Sequence, residues 1–449
     1  MNRAIRGLFV AAAVLLWPLG ATIQPAAAAE LRVGAAAVAL QAEDSMVIAG
    51  SIQPWYAKGQ EGTLRATAVV IEKPSAAKVA VVSVDVLMLT RDLLDPVAAE
   101  IERDCGIPAG HVLVHTTHTH HAPSTVRVHA YDRDETFCRR VQQAIVQAVQ
   151  QAAANLADGV FQFHRGKEET VGQNSRMLLE DGTIYWVGPH NDVVRPTGPF
   201  DSDLPVLAFR SPAGQLLAVL FGHSTHTIGG LTGGVRSPAF YGMAAQRMEA
   251  DLGGVFAFLQ GASGSTHRFE PDPAEASRRI EAAVRDALRR AEPRAAAELA
   301  SVKRPFTFRV RTFDEAAEER AVTEYCTKRI GGGAAGVIQV FRDMRRELAP
   351  LQGQERTTWI QAIRIGDVAL VGVPAEFFTS LGVDLKRRSP LRHTLIAELS
   401  NDWIGYLPDR EAHELGGYQV WTGFHSYAEP GTGERLVDQA VQMLQELLR

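Results

Sequence analysis

The chain of 449 residues has little cysteine, little net charge and no long apolar run beyond its first residues. Its three cysteines, Cys105, Cys138 and Cys326, have spacings that match no zinc motif, so we expect core residues with at most one disulfide. The formal net charge is −5, without the basic stripe that binds nucleic acid. After residue 29, no segment is apolar over the roughly 18 residues that a membrane span needs. We therefore expect a globular protein with no nucleic-acid partner and no integral membrane segment.

The first 29 residues have a composition of their own. MNRAIRG carries two arginines and no acid, LFVAAAVLLWPLG is apolar, and ATIQPAAAA ends in small residues. This order is typical of a secretory signal peptide, and the apolar stretch is short for a bilayer. A membrane anchor is the alternative, which Pro18 and the Ala-x-Ala end disfavour. We expect cleavage after Ala29 and export of a bacterial protein to the periplasm or beyond.

Strand and helix patterns alternate along residues 30–449, which indicates one α/β domain. We predict a mixed central β-sheet flanked by helices, with a metal site at the strand ends, where such sheets bind ligands. The segment at about 311–350 is a candidate peripheral subdomain. The predicted strands are 31–40, 63–72, 78–89, 111–118, 215–226, 254–265, 302–313 and a hairpin over 358–378, and the predicted helices are 91–106, 135–156, 274–294 and 433–449.

Histidines are concentrated in HVLVHTTHTHHAPST, residues 111–125, which holds five of the fourteen. His118 and His120 share one face if the strand continues through them. His223 ends another apolar strand, and Glu376 follows a third. Zinc accepts a His/His/Glu set and keeps a position open for water. The pattern alone leaves two interpretations open. Either these residues form a zinc site, or the histidines are ordinary hydrogen-bonded residues and Glu376 is an acid at a helix N-terminus.

Several motifs, in a fixed order, resemble those of the neutral/alkaline ceramidase family. The resemblance covers nearly all of the chain after residue 29, and we expect the catalytic domain of that family without its additional C-terminal domain. The matching segments are LRVGAAA, AEDSMVIAGS, THTHHAP (117–123), QNSRMLLEDGTIY (173–185), FDSDLPVLAFR (200–210), FGHSTHTIGG (221–230), FLQGASGS (258–265), GVPAEFF (372–378), NDWIGYLPDREAHELGGYQ (401–419) and PGTGERLV (430–437).

This resemblance implies a role for individual residues. The implied zinc ligands are His118, His223, Glu376 and Tyr406, with His226 as a competing choice for the second ligand. His120 is implied as the acid/base beside the metal and Tyr418 as the group that polarises the scissile carbonyl. Arg176 is implied to hold the polar head of the substrate.

The loop QGASGSTHR, residues 260–268, departs from the family pattern, because its acid and proline are absent. Ser265, Thr266 and His267 are the candidates to replace the family's loop serine. The resemblance implies a zinc-dependent amidohydrolase that cleaves an N-acyl amide, ceramide-like or another acylated amine, with peripheral membrane contact an option. A zinc esterase or lactonase on the same scaffold, or a catalytically silent metal-containing binding protein, are the alternatives.

Overall fold

The computed structural model describes residues 30–449, and the predicted signal peptide at 1–29 lies outside the described residues. The described chain forms two large β-sheets packed face to face, with helices on the outer face of each, and four small two-stranded sheets. The larger sheet has nine strands: β1 (Leu31–Ala39), β2 (Arg65–Lys73), β3 (Ala77–Val84), β4 (Val112–Thr116), β5 (Ala157–Lys167), β6 (Asp203–Arg210), β7 (Leu216–His223), β8 (Val255–Gln260) and β9 (Glu292–Pro293).

The strands of the larger sheet lie in the order β8-β7-β6-β5-β1-β2-β3-β4, and β9 pairs with β5. β3 and β4 are parallel, as are β7 and β8, whereas the other pairs are antiparallel. The two ends of the sheet approach each other, since the N–H of Gln260 at the end of β8 donates to Nε2 of His115 in β4, at 2.9 Å. This approach brings the loops after β4, β7 and β8 together.

Both faces of the larger sheet are buried, which explains its almost continuously apolar strands. In β2, Ala66, Ala68 and Val70 face the helices, whereas Val69 and Ile71 face the second sheet. The period of two residues in a strand assigns alternate side chains to the two cores.

The second sheet has four strands in sequential order: β10 (Leu299–Arg309), β11 (Glu355–Ile365), β12 (Val368–Gly372) and β13 (His393–Ala397). Ile363, Leu370 and Leu395 pack against the larger sheet. The turn between β11 and β12 contains Gly366, at φ 59°, where a β-carbon would lie 2.3 Å from the carbonyl oxygen of Ala295. That turn agrees with the hairpin predicted there.

Helices flank both sheets, so the prediction of an α/β fold with a mixed central sheet is confirmed. The second sheet was not predicted as a separate layer, and the observed ends of the elements differ from the predicted ones by a few residues. The helices are α1 (Arg91–Cys105), α2 (Glu135–Ala154), α3 (Ala239–Leu252), α4 (Pro273–Arg290), α5 (Glu315–Arg329), α6 (Ala334–Leu348), α7 (Thr379–Arg388), α8 (Arg410–Leu415) and α9 (Thr432–Glu446).

The helices α5 and α6 occupy the segment predicted as a peripheral subdomain. They pack against each other and form one hydrophobic cluster with Trp186, Tyr418 and Trp421. This segment therefore contacts the wall of the candidate site described below.

All three cysteines carry free thiols, with Cys138 and Cys326 buried and Cys105 half-buried. Within residues 30–449, no helix is both long enough and apolar enough to cross a bilayer.

Candidate metal centre

Three histidines meet where the loops after β4 and β7 come together. One ring nitrogen from each of His118, His120 and His226 lies within 4.8 Å of the other two, a spacing that suits a metal ion. His118 and His226 are buried, and His120 is partly buried. The carboxylate of Glu376 completes the cluster, with Oε1 lying 3.1 Å from Nε2 of His118 and 3.7 Å from Nε2 of His226.

The outer nitrogens of two of these rings show which nitrogen carries the proton. Nδ1 of His118 lies 3.1 Å from the carbonyl oxygen of Leu87, and Nδ1 of His226 lies 2.8 Å from that of Ser263. A carbonyl oxygen only accepts, so each Nδ1 is protonated and each Nε2 presents a lone pair to the centre. Backbone carbonyls commonly orient metal-ligating imidazoles in this way.

The arrangement fits a divalent cation. Two bare Nε2 atoms face the carboxylate of Glu376, and these groups repel one another unless a positive charge lies between them. Burial alone would raise the pKa of Glu376, whereas hydrogen bonds and positive charge from His118 and His226 in their protonated forms lower it. With both Nε2 atoms bare, a bound cation would supply that positive charge. Imidazole nitrogen and carboxylate oxygen are ligands that zinc accepts.

Backbone pairing places Tyr406 beside Glu376. The short strands Glu376–Phe377 and Tyr406–Leu407 are parallel, with Glu376 and Tyr406 as Cα partners. The hydroxyl of Tyr406 lies 3.1 Å from Nε2 of His226. Burial raises the pKa of Tyr406 well above its usual value, and the Glu376 carboxylate raises it further, so a phenolate there would need a cation beside it. Tyr406 can therefore act as the fourth donor.

His118 and His120 reach the site by a turn and not by sharing a strand face, so that expectation was wrong. β4 ends at Thr116, and His118 has φ 60°, in the left-handed region that residues other than glycine seldom adopt. Such conformations persist where the surroundings impose them, which is common at functional sites.

His223, which the resemblance implied as the second ligand, does not lie at the centre. His223 is the last residue of β7, and its Nδ1 lies 2.6 Å from the hydroxyl of Tyr241 while its Nε2 lies 3.0 Å from the carbonyl oxygen of Glu168. Both nitrogens are therefore engaged away from the centre. His226 lies in the cluster instead.

Arg176 does not line either cavity at the centre. Its guanidinium is buried and donates to the carbonyl oxygens of Ala412 and Gly416 and to Oε1 of Gln419. These bonds brace the segment that carries Tyr418. The implied contact of Arg176 with a substrate head group is replaced by this support, because its terminal nitrogens are already engaged.

His120 stands at the open side of the centre. Its Nε2 lies 3.3 Å from Nε2 of His118, and burial lowers its pKa well below the usual value, with His118 and His226 lowering it further. The imidazole is therefore neutral at pH 7. On its other side the backbone of Gly50, at φ 103°, comes so close that a β-carbon would lie 2.2 Å from Nδ1 of His120.

Tyr418 lies across the cavity and is clamped between two rings. Trp186 stacks on it at 4.5 Å between centroids and an angle of 3°, and His425 stacks at 4.9 Å and 20°. The hydroxyl of Tyr418 lies 3.3 Å from Nε2 of His129. Trp186, His425 and His129 were missed in the sequence, since each stands alone in its segment without a motif or a spacing that marks it.

The three candidates to replace the family's loop serine have different surroundings in the loop after β8. The hydroxyl of Ser265 donates to Thr379, and that of Thr266 donates to the carbonyl oxygens of Ser224 and Ser263. His267 instead lines the cavity, with its ring 4.3 Å from that of His226. Of the three, His267 alone is placed to meet a substrate.

Two spaces adjoin the centre. One, of about 20 Å³ and bounded in part by His118, Glu376 and Tyr406, has room for one water molecule or ion. The other is a cavity of about 280 Å³. It is lined by Gly50, Ser51, Trp55, His120, His121, Trp186, His226, Ile228, His267, Tyr406 and Tyr418. A larger cavity of about 770 Å³ lies against α5, and its lining includes none of the candidate ligands.

The fold of this chain matches that of known proteins, whereas comparison of its sequence finds no relative. No protein-family model matches the chain, and no curated protein matches it either. Solved structures do match, among them the neutral ceramidase from Pseudomonas aeruginosa, with a TM-score of 0.72, and a ceramidase complexed with C2, with a TM-score of 0.73. Each is 20% identical over 93% of this chain and 75% of the other. The chain therefore has the neutral-ceramidase fold, and the resemblance that its motifs indicated is confirmed in that fold.

Proposed function

We propose that the protein is a zinc-dependent hydrolase that cleaves an N-acyl amide, with a lipid-like acylated amine as substrate. The observation that carries this proposal is the meeting of two bare imidazole nitrogens, a carboxylate and a phenol at the rim of a cavity that His120 and Tyr418 also line. His118, His226, Glu376 and Tyr406 are the proposed ligands.

The centre supports a division of roles. Zinc bound there would polarise a scissile carbonyl and lower the pKa of water. His120, neutral at pH 7, is placed to take a proton from the attacking water and to pass it to the leaving amine. The rings of Trp55 and Trp186 form apolar walls that orient the acyl amide and exclude water.

Metal content and hydrolysis, measured on the same preparation, test the proposal. We expect about one zinc per chain, hydrolysis of a panel of fluorogenic N-acyl amides, loss of activity with a chelator and recovery with zinc. The variant His120→Ala should keep zinc and lose turnover. A protein that binds no zinc, or one that hydrolyses the panel equally well without metal, contradicts the proposal.

An esterase or lactonase on the same scaffold is tested by including esters with the same acyl groups in the panel. The altered loop motivates the alternative of a silent binding protein, since neither Ser265 nor Thr266 lines the cavity. Against it, a purely structural metal site needs neither His120 nor Tyr418 at the cavity. Export from the cell and peripheral membrane contact remain predictions from the sequence and from the resemblance.

A further inference from the structure

The contact between Tyr418 and His129 fixes the direction of a hydrogen bond at the candidate site. His129 is 5% exposed, and its Nδ1 lies 3.2 Å from the carbonyl oxygen of Ser51. Its Nε2 lies 3.3 Å from the hydroxyl of Tyr418. Among the described residues, the Tyr418 hydroxyl has no other hydrogen-bond partner.

The chemistry of these atoms sets the tautomer. The Ser51 carbonyl can only accept, so Nδ1 of His129 carries a proton and donates it. Burial lowers the pKa of His129 to about 4, so the ring is neutral at pH 7 and Nε2 is bare. A bare Nε2 can only accept, and the hydroxyl of Tyr418 must therefore donate to it.

The hydroxyl of Tyr418 has a single proton to donate. When that proton points at His129, the part of the Tyr418 oxygen left for the cavity is a lone pair. The clamp of Trp186 and His425 holds the ring in place, so the oxygen keeps its position while the proton is directed away. Resting on the proposed hydrolase function, we infer that Tyr418 meets the substrate as a hydrogen-bond acceptor for the N–H of the scissile amide, and that His129 is the positioning residue that makes it so.

This inference replaces the role of carbonyl polariser that the resemblance implies for Tyr418. The two roles differ in a way that a substrate can report. An acceptor recognises an amide N–H, which an ester lacks, whereas a donor to the carbonyl serves amides and esters alike. The acceptor role therefore makes Tyr418 a determinant of amide specificity.

Kinetics with matched substrates provide the first test. An acyl p-nitroanilide and the p-nitrophenyl ester of the same acid are compared in wild type and Tyr418→Phe. We expect kcat/KM for the anilide to fall about tenfold, the loss of one hydrogen bond, and kcat/KM for the ester to change less than twofold. Equal losses for both substrates overturn the inference while leaving the proposed function intact.

A second variant assigns the effect to His129. His129→Leu removes the acceptor and releases the Tyr418 proton, so the anilide-to-ester ratio of kcat/KM should fall as it does in Tyr418→Phe. Added to Tyr418→Phe, it should change that ratio no further. A further fall in the double variant contradicts a role through Tyr418. Zinc content and the unfolding midpoint of each variant separate this effect from general damage.

The tautomer can also be measured without any turnover. In protein labelled with ¹⁵N at histidine, the His129 signals are assigned by their loss in His129→Gln. We expect a protonated Nδ1 and a bare Nε2 between about pH 6 and pH 8. The opposite tautomer overturns the inference, even if wild type hydrolyses neither substrate and the proposed function fails.

Discussion

The hydroxyl of Tyr325 on α5 accepts a hydrogen bond from the backbone N–H of Trp186 at 2.6 Å and another from that of Val187 at 3.2 Å. Trp186 in turn stacks on Tyr418. A helix in the segment predicted as peripheral therefore holds one wall of the candidate site, and Tyr325 couples the stability of that wall to the helical pair α5 and α6.

Replacing Tyr325 by Phe should weaken this wall. Two backbone donors lose their acceptor, so we expect the free energy of unfolding to fall by about 1–3 kcal/mol. Hydrolysis should also fall because Trp186 then holds the Tyr418 ring less firmly. Urea denaturation and kcat on the same variant check both effects. Tyr427→Phe is the matched control, since the Tyr427 hydroxyl has no hydrogen-bond partner among the described residues, and it should change neither quantity.

The pair His223 and His226 offers a direct test of ligand identity. His226→Ala should reduce zinc from about one per chain to well below that value, because one donor is lost. His223→Ala should keep the zinc but lower the free energy of unfolding by about 1–3 kcal/mol, because the buried hydroxyl of Tyr241 loses its partner. Metal analysis after dialysis and urea denaturation measure the two effects. Zinc lost from His223→Ala and kept in His226→Ala would reverse the assignment.

The alternation of side chains along β7 explains why His223 and His226 lie in different places. Val219 and Phe221 face the core under α3 and α4, and His223 continues that alternation as the last residue of β7. It therefore points at Tyr241 on α3 and away from the cavity. His226 lies beyond the strand, where alternation no longer applies, and only the loop conformation brings it to the centre.

Other features depended on contacts that no local pattern encodes. Glu376 and Tyr406 meet through pairing of two short strands, and the approach of β8 to β4 joins segments far apart in the chain. The alternation of strand and helix patterns predicted the α/β class, and the family motifs singled out most of the residues that the structure brings together in the cluster. The layering of two sheets and the partners of Tyr418 arise from tertiary packing, which single-residue patterns do not record.

Gly50 should be required for the position of His120. Gly50→Ala places a β-carbon 2.2 Å from Nδ1 of His120, so the ring must move. Hydrolysis should fall at least tenfold, since a rise of about 1.4 kcal/mol in the activation free energy is enough for that loss. Zinc content should remain near that of wild type, because His120 is not a proposed ligand. Gly59→Ala is the matched control: Gly59 also has positive φ, at 79°, but a β-carbon there meets nothing within 4 Å. Equal effects of the two changes would attribute the loss to backbone strain alone.

The buried Asp85 should make the stability of the protein depend on pH in a defined direction. Burial raises the pKa of Asp85 to about 7, in spite of the Arg65 charge and the hydrogen bonds from the Arg65 N–H and the Thr117 hydroxyl. The unfolded chain releases this proton near pH 4, so the folded state loses stability relative to it as pH rises from about 4 to about 7. Asn cannot ionise, and Asp85→Asn should therefore gain stability relative to wild type across that window.

Urea denaturation at about pH 4.5, 6 and 7.5 measures the difference in free energy of unfolding between Asp85→Asn and wild type. The difference should increase steadily with pH, by at most about 1.4 kcal/mol per pH unit, and level off above about pH 7. Asp158→Asn, at an exposed position on β5, is the matched control for the loss of one carboxylate. A flat difference for Asp85→Asn would contradict the prediction, because Arg65 and Thr117 would then compensate fully for burial. A difference that declines as pH rises would contradict it as well, because those contacts would then outweigh burial.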